Sequence, residues 1–272
     1  MSFLPAFTQT IIIKDPAIET MLAEISKDSL ESYVRKMVSF GTRNTLSVQD
    51  DPIRGIGAAR NWVLAQFRAF SKITGGRLTA IIDTVTLQPD GRRVNKPTLL
   101  GNVVATLKGT DPNDDRIFII SGHLDNMRSS VMDATGDAPG ANDDASGVAA
   151  LLECARIMSS RNFPATVQFV AFSGEEQGLL GAHFMAGKAK QQNLNIEAVL
   201  NNDIMGSNHS SETGIIDNTR IRVFSEAYSV QDTGREALRI RSLGLENDGK
   251  ARQLARYIKE TGERYVDHLE VV

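Results

Sequence analysis

The 272-residue sequence predicts an α/β protein of three layers. A central, mostly parallel mixed sheet lies between helices, and the sheet is expected to be incomplete at the C-terminal end. Three observations carry this. Short apolar runs rich in β-branched and aromatic residues recur along the chain, and such runs read as strands buried on both faces. Stretches with helical spacing of apolar residues lie between them, the alternation of a layered α/β domain. Three of the runs end in polar residues beside glycine or in a loop, where open α/β sheets place their ligands.

Asp15-Pro16 supplies a cap and a proline at the first helical position, opening a short helix to about Ile25. Ser29 is expected to cap a second helix, with Leu30, Tyr33, Val34, Met37 and Val38 on one face and Gly41 just beyond its end. Residues 42–55 are polar and loop-like. Arg54-Gly-Ile-Gly57 opens a third helix with Ala59, Trp62, Val63 and Phe67 inward. Its Gly-x-Gly follows no strand, so it reads as a flexible helix start and not as a nucleotide loop. Leu78–Leu87 and Leu99–Leu107 read as strands around the turn Asp90-Gly91. Arg116–Ser121 is a buried strand that runs into Gly122-His123-Leu124-Asp125, and after a polar loop Ala145–Met158 is a helix. Val167–Phe172 is a strand stopped by Ser173-Gly174. Glu175 and Glu176 follow, then a helix-like run to Ala189. Ile196–Ile204 is a strand with Asp203 near its end.

Gly214–Phe224 reads as one or two strands or a hairpin. Residues 225–250 carry no clear pattern, and Ala251–Glu263 is helical. Leu269–Val272 reads as the first half of a strand with no turn after it. No repeat, low-complexity stretch or linker interrupts this series. A single domain over residues 1–272 is expected, with N-terminal helices at about 15–70 and the sheet and site core at about 78–272.

The chain is 41% hydrophobic and 23% charged, with a net charge of −3, so it lacks the basic surface of a nucleic-acid or anionic-membrane binder. No stretch approaches the roughly 18 apolar residues of a membrane span. The opening MSFLPAFTQTIII has no basic start and is broken by Pro5, so it does not read as a signal peptide. The single Cys154 excludes an internal disulfide and reads as a small buried residue on its helix.

Three strands lead into metal-ligand residue types: His123, the pair Glu175-Glu176, and Asp203. Asp143 and Asp144 open a helix from a glycine-flanked loop. A solvated acidic pair at a helix start is the plain reading of Glu175-Glu176 alone, but the coincidence of all these positions points to a metal site. Zinc takes imidazole nitrogen and carboxylate oxygen, and a two-metal site needs a bridging carboxylate. A glutamate next to a ligand glutamate can serve as the base. Asp125, two residues after His123, can hold the imidazole by its other nitrogen.

At these residues the chain resembles zinc metallopeptidase family twenty-eight, the co-catalytic zinc aminopeptidases of the bacterial leucyl aminopeptidase type. The matching motifs are Gly122-His123-Leu124-Asp125, the loop Pro139–Gly147, Ser173-Gly-Glu-Glu-Gln-Gly178 and Asn202-Asp203-Ile-Met205, in order and spacing. The resemblance is close over roughly residues 30–206. It implies His123 and Asp203 as ligands of one zinc, Asp143 as the bridging carboxylate, Glu176 as a ligand of the second zinc, and Glu175 as general base with Asp125 beside His123. It further implies a cis peptide between Asp143 and Asp144. Asn142 stands where the family usually has aspartate.

The family's last ligand is a histidine on a later loop. The later histidines here are His183, His209 and His268, and none sits at that place in the element order. His183 reads as a packing or surface residue, and His209 as a loop residue near the site. The expectation is therefore a second site completed beyond Val272, with one well-formed zinc site in residues 1–272. The implied activity is removal of residues from peptide or protein N-termini, with secretion or a periplasmic location by resemblance. Two other readings stay open: a single-zinc glutaminyl cyclase, and a non-catalytic binding domain on the same fold.

Overall fold

The computed structural model describes residues 14–210, 212–226 and 233–272; the stretch MSFLPAFTQTIII lies outside them. The chain divides into two compact units, one of residues Glu24–Ser207 and one joining the stretch up to Ala23 with Asn208–Val272.

The larger unit begins with helices α2 (Lys27–Val38) and α3 (Gly55–Ile73), after α1 (Pro16–Ala23) of the other unit. The cap of α2 is Ser26, not Ser29. The Ser26 hydroxyl accepts the Ser29 amide at 3.1 Å, as an N-cap three residues upstream must. The Ser26 amide in turn donates to buried Glu153 at 2.7 Å, and Arg156 grips the same carboxylate. α3 starts where expected, but for another reason than flexibility. A Cβ on Gly57 would stand 1.9 Å from the Gln49 carbonyl oxygen, so glycine lets the helix start press against the preceding loop.

The sheet has the order β1-β2-β4-β3-β5, with β1 (Leu78–Leu87), β2 (Thr98–Leu107), β3 (Ile117–His123), β4 (Thr166–Phe172) and β5 (Ile196–Asn201). The pairs β1–β2 and β2–β4 are antiparallel, and β3 is parallel to both β4 and β5. Alternating residues go to opposite faces. Val103, Ala105, Val167, Phe169 and Ala171 join the main core under α2, α3 and α4 (Ala145–Met158), whereas Val104, Ile119 and Val170 form a smaller cluster with Met185 of α5 (Leu180–Gln191). The result is a three-layer mixed sheet, as its apolar runs require. β3 reaches two residues further than its apolar run, through Gly122 and His123. α5 starts three residues later than its helical pattern, leaving Glu175–Leu179 as a turn. Cys154 packs half-buried against the main core, where burial pushes its thiol up to about 11.

The second unit holds α1, a short β6 (Arg220–Ile221), α6 (Arg235–Leu243), a 3-10 turn, α7 (Lys250–Tyr265) and β7 (Glu270–Val271). β7 pairs in parallel with β6 in a two-stranded sheet, so the half-strand at the chain end has a partner. His209 forms an isolated antiparallel bridge to Ile216, so this pairing begins before the expected Gly214–Phe224 region. Among the described residues no helix is long and apolar enough to cross a membrane.

Candidate metal centre

The parallel strands β3, β4 and β5 all end on the same side, and register brings their last residues level. His123 stands opposite Phe172 of β4, and Ser121 stands opposite Asn201 of β5, so Asp203, two residues on, is carried to the height of His123. α4 reaches the same point from the other direction. A Cβ on Gly122 would stand 2.8 Å from the Gly147 backbone. The bare glycine of the Gly-His pair therefore lets the start of α4 rest on β3. The peptide between Asp143 and Asp144 is cis, as the resemblance implies.

His123 is buried, with its Nε2 facing Asp143 Oδ1 at 2.9 Å and Asp203 Oδ1 at 3.9 Å. Ligand atoms around a tetrahedral zinc at about 2.0–2.2 Å lie roughly 3.3–3.5 Å apart, and the two observed separations bracket that value. The other ring nitrogen, Nδ1, is 3.1 Å from the Asp125 backbone carbonyl and 3.8 Å from its carboxylate. Asp125 thus orients the imidazole mainly through its main chain, leaving Nε2 to face the acids.

Asp144 also lies in the cluster, within 4.8 Å of His123 and Asp203. Its two oxygens are already taken, one by the Gly147 amide at 2.9 Å and one by the His123 amide at 2.8 Å. That makes it the N-cap of α4 and a structural brace, whereas half-exposed Asp143 turns its carboxylate to the ring. Asp203 is positioned from behind. The Met205 amide donates to the Ser146 hydroxyl at 2.9 Å, and the Gly206 amide donates to the Asn142 side chain at 2.9 Å. The asparagine at position 142 thus holds the turn after Asp203. In that turn Ile204 adopts a φ of 52°, a left-handed backbone that a β-branched residue rarely accepts.

The two glutamates hang from Asp125. Its carboxylate accepts the Glu175 amide at 3.1 Å and the Glu176 amide at 3.2 Å, as well as the Thr45 hydroxyl at 3.0 Å. Arg93, from the connection between β1 and β2, donates to the Glu176 carbonyl. Burial raises the Glu175 carboxyl, and it pushes Glu176 up to about 7 with help from Asp143 and Asp125. Burial likewise lifts Asp144 to about 7, while the bond to His123 lowers Asp143. For His123, burial pulls the imidazole down, but Asp125 and Asp143 outweigh it and carry the ring up to about 11.

Asp125 and Asp143 thus favour the protonated form of the metal-free imidazole, whose proton a metal at Nε2 would have to displace. Zinc uptake at pH 7 should release about one proton from this ring. Affinity should weaken about tenfold per unit as pH falls from about 7 to 5, because the protonated ring is the competing form. Calorimetric titrations in buffers of different ionisation heat measure this directly. Uptake with no proton released would place the metal away from His123.

Asp143 and Asp203 thus both face His123 Nε2, with Asp125, Glu175 and Glu176 beside them. His183 is exposed on α5, and His209 and His268 belong to the other unit. Sequence reasoning missed Arg43, Thr45, Asn126 and the bracing role of Asp144. Of these only Asp144 left a local signal, an aspartate three residues before Gly147 at a helix start.

The sequence model of peptidase family M28 matches residues 102–243, a span that contains every one of these acids and His123. The chain belongs to peptidase family M28. A probable zinc metalloprotease of Pyricularia oryzae is 44% identical over 251 residues, covering 92% of this chain and 49% of the relative. Another, of Leptosphaeria maculans, is 41% identical over 254 residues, covering 93% of this chain and 58% of the relative. The M28 chain therefore spans about half the length of these curated relatives. Its fold is similar to that of the LapA aminopeptidase of Legionella pneumophila, with a TM-score of 0.67 at 19% identity over 100% of this chain and 59% of that one. It is also similar to that of the glutaminyl cyclase of Porphyromonas gingivalis, with a TM-score of 0.55 at 20% identity over 82% of this chain and 73% of that one.

Proposed function

We propose that this M28 chain carries the catalytic site of a zinc aminopeptidase, which hydrolyses the peptide bond next to a free N-terminus. The observation that carries the reading is that Asp143 Oδ1 and Asp203 Oδ1 face His123 Nε2 at 2.9 Å and 3.9 Å beside a cavity that Glu175 and His123 themselves line. His123, Asp143 and Asp203 would hold one zinc, and Asp143 and Glu176 would serve a second. Bound zinc supplies Lewis acidity that neutralises charge developing on the scissile carbonyl.

The protein's own groups account for the rest. Burial raises the proton affinity of Glu175, the direction that strengthens a carboxylate base. It takes the proton of the attacking water and returns it to the leaving amine. Asp125 keeps the Glu175 backbone and the His123 ring in fixed relation. The surrounding carboxylates favour a substrate's ammonium group. The adjoining cavity, about 310 Å³, is walled by Ile119, Phe172, Leu179, Met185 and Val199, a lining suited to an apolar side chain.

The zinc-loaded protein should release leucine from leucyl anilides and leucyl peptides. It should prefer them over glycyl substrates at least about tenfold, the scale on which a hydrophobic pocket discriminates. Blocking the substrate's amino group should abolish turnover. Conversion of N-terminal glutamine to pyroglutamate without hydrolysis would overturn the reading in favour of a cyclase, and zinc binding with neither reaction would favour a binding domain.

A further inference from the structure

The segment Thr42–Ser47 is polar, yet Thr42, Arg43, Asn44, Thr45 and Ser47 are all buried, with Arg43 and Asn44 fully so. Buried polar groups cost free energy unless each finds a partner, and the partners here lie on the loops that carry the metal-site residues. Arg43 donates through Nε to the Leu124 carbonyl at 2.9 Å. Its Nη1 reaches the Pro139 carbonyl at 3.0 Å and the Met37 carbonyl at 3.1 Å, and its Nη2 reaches the Gly140 carbonyl at 2.8 Å. One guanidinium therefore joins the end of α2, the turn after His123 and the loop leading to Asp143. The Arg43 amide also donates to Asn126 at 2.9 Å, and Asn126 donates to the Ala138 carbonyl at 2.7 Å. Thr45 adds the hydroxyl bond to Asp125, whose carboxylate carries the Glu175 and Glu176 amides. Room for drift is small. A Cβ on Gly140 would stand 2.7 Å from Arg43 Nη2 and 2.5 Å from Asn126 Nδ2.

We propose that this buried polar segment is the positioning element of the metal centre. Arg43 sets the loop that presents Asp143 to His123, and Thr45 sets the Asp125 carboxylate that orients the two glutamates. The inference rests on the metal-site reading above but not on the substrate. Lysine cannot replace Arg43. Its compact ammonium has three donors and no planar fork, and four carbonyls on three chain segments need the fork. Burial lowers the guanidinium to about 10, so it remains charged at neutral pH beside Asp125, Asp144 and Asp143.

Zinc itself is the probe. Supporting residues of this kind cost about 10–100-fold in metal affinity when removed. Arg43→Lys and Thr45→Val should each weaken zinc binding by about that factor in a chelator competition. Thr45→Ser, which restores the hydroxyl, should recover most of it. The metal-free melting temperature of Thr45→Val should stay close to that of the parent. A purely architectural role predicts the reverse: a lower melting temperature with zinc affinity of the folded protein unchanged, and no rescue by serine. That outcome overturns the proposal. Should Arg43→Lys fail to fold, Thr45→Val and Thr45→Ser decide alone. A parent that binds zinc but cleaves no peptide overturns the peptidase reading only. A parent that cleaves peptides while the variants keep full zinc affinity overturns only the positioning role, and a parent that binds no zinc overturns both.

Discussion

Glu175→Gln should lower turnover by about 10²–10⁴-fold, the range for losing a general base, while zinc binding stays nearly unchanged. The amide keeps the size and shape of the side chain but cannot take a proton. The Glu175 backbone bond to Asp125 remains available, because it runs through the main-chain amide. Glu176→Ala is the complementary change. It removes a carboxylate that faces Asp143 and Asp125 electrostatically, so it should weaken zinc binding and lower activity only as occupancy falls. Excess zinc should then recover part of the activity of Glu176→Ala and none of that of Glu175→Gln. Steady-state rates against free zinc for the two variants test this, and the opposite pattern would invert the assignment of the pair.

Phe169→Ala should destabilise the metal-free protein by about 3–5 kcal/mol, the usual cost of emptying a buried aromatic site. Phe169 is fully buried at the middle of β4. It stands opposite Ala105 of β2 and Ile120 of β3 and belongs to the core under the helical layer that includes α3 and α4. A sheet held on both sides, with only Ala105 opposite on β2, leaves little means of closing the void. β4 also leads directly to Ser173 and the glutamates, so zinc affinity should fall as well. Urea unfolding with an unchanged m-value and a lower midpoint is the expected result. A loss below about 1.5 kcal/mol would mean that the core collapses into the gap.

The element series could be read along the chain with good accuracy where period and punctuation agreed. The strand Leu78–Leu87 and the helix Ala145–Met158 have those bounds in the structure, and the strand over Val167–Phe172 starts one residue earlier, because each is an apolar pattern closed by polar or glycine-containing turns. The cap of α2 lies three residues before the Ser29 that the pattern suggests, since Ser26 and Ser29 are both good cap residues and only the hydrogen bond chooses between them. The candidate ligands were legible because ligand chemistry restricts residue type: His123, Glu176 and Asp203 stand at or just after strand ends and Asp143 just before a helix.

The sequence by itself determined the alternation of strands and helices, the family and the identity of the acidic cluster. All of these depend on residue type and spacing along the chain. Tertiary structure alone decided which polar residues are inside. Thr42–Ser47 has the composition of a solvated loop, yet it is buried against Leu124, Asn126 and the 138–140 loop. The partners of Arg43 on Leu124, Asn126, Pro139 and Gly140 lie 81 to 97 residues away, mostly on backbone carbonyls that carry no residue signature. Strand register likewise decided that Asp203 rises to the height of His123, and helix capping that Asp144 braces while Asp143 faces the imidazole. Burial and hydrogen-bond partnership between distant segments are properties of the packed chain, and local sequence holds no term for them.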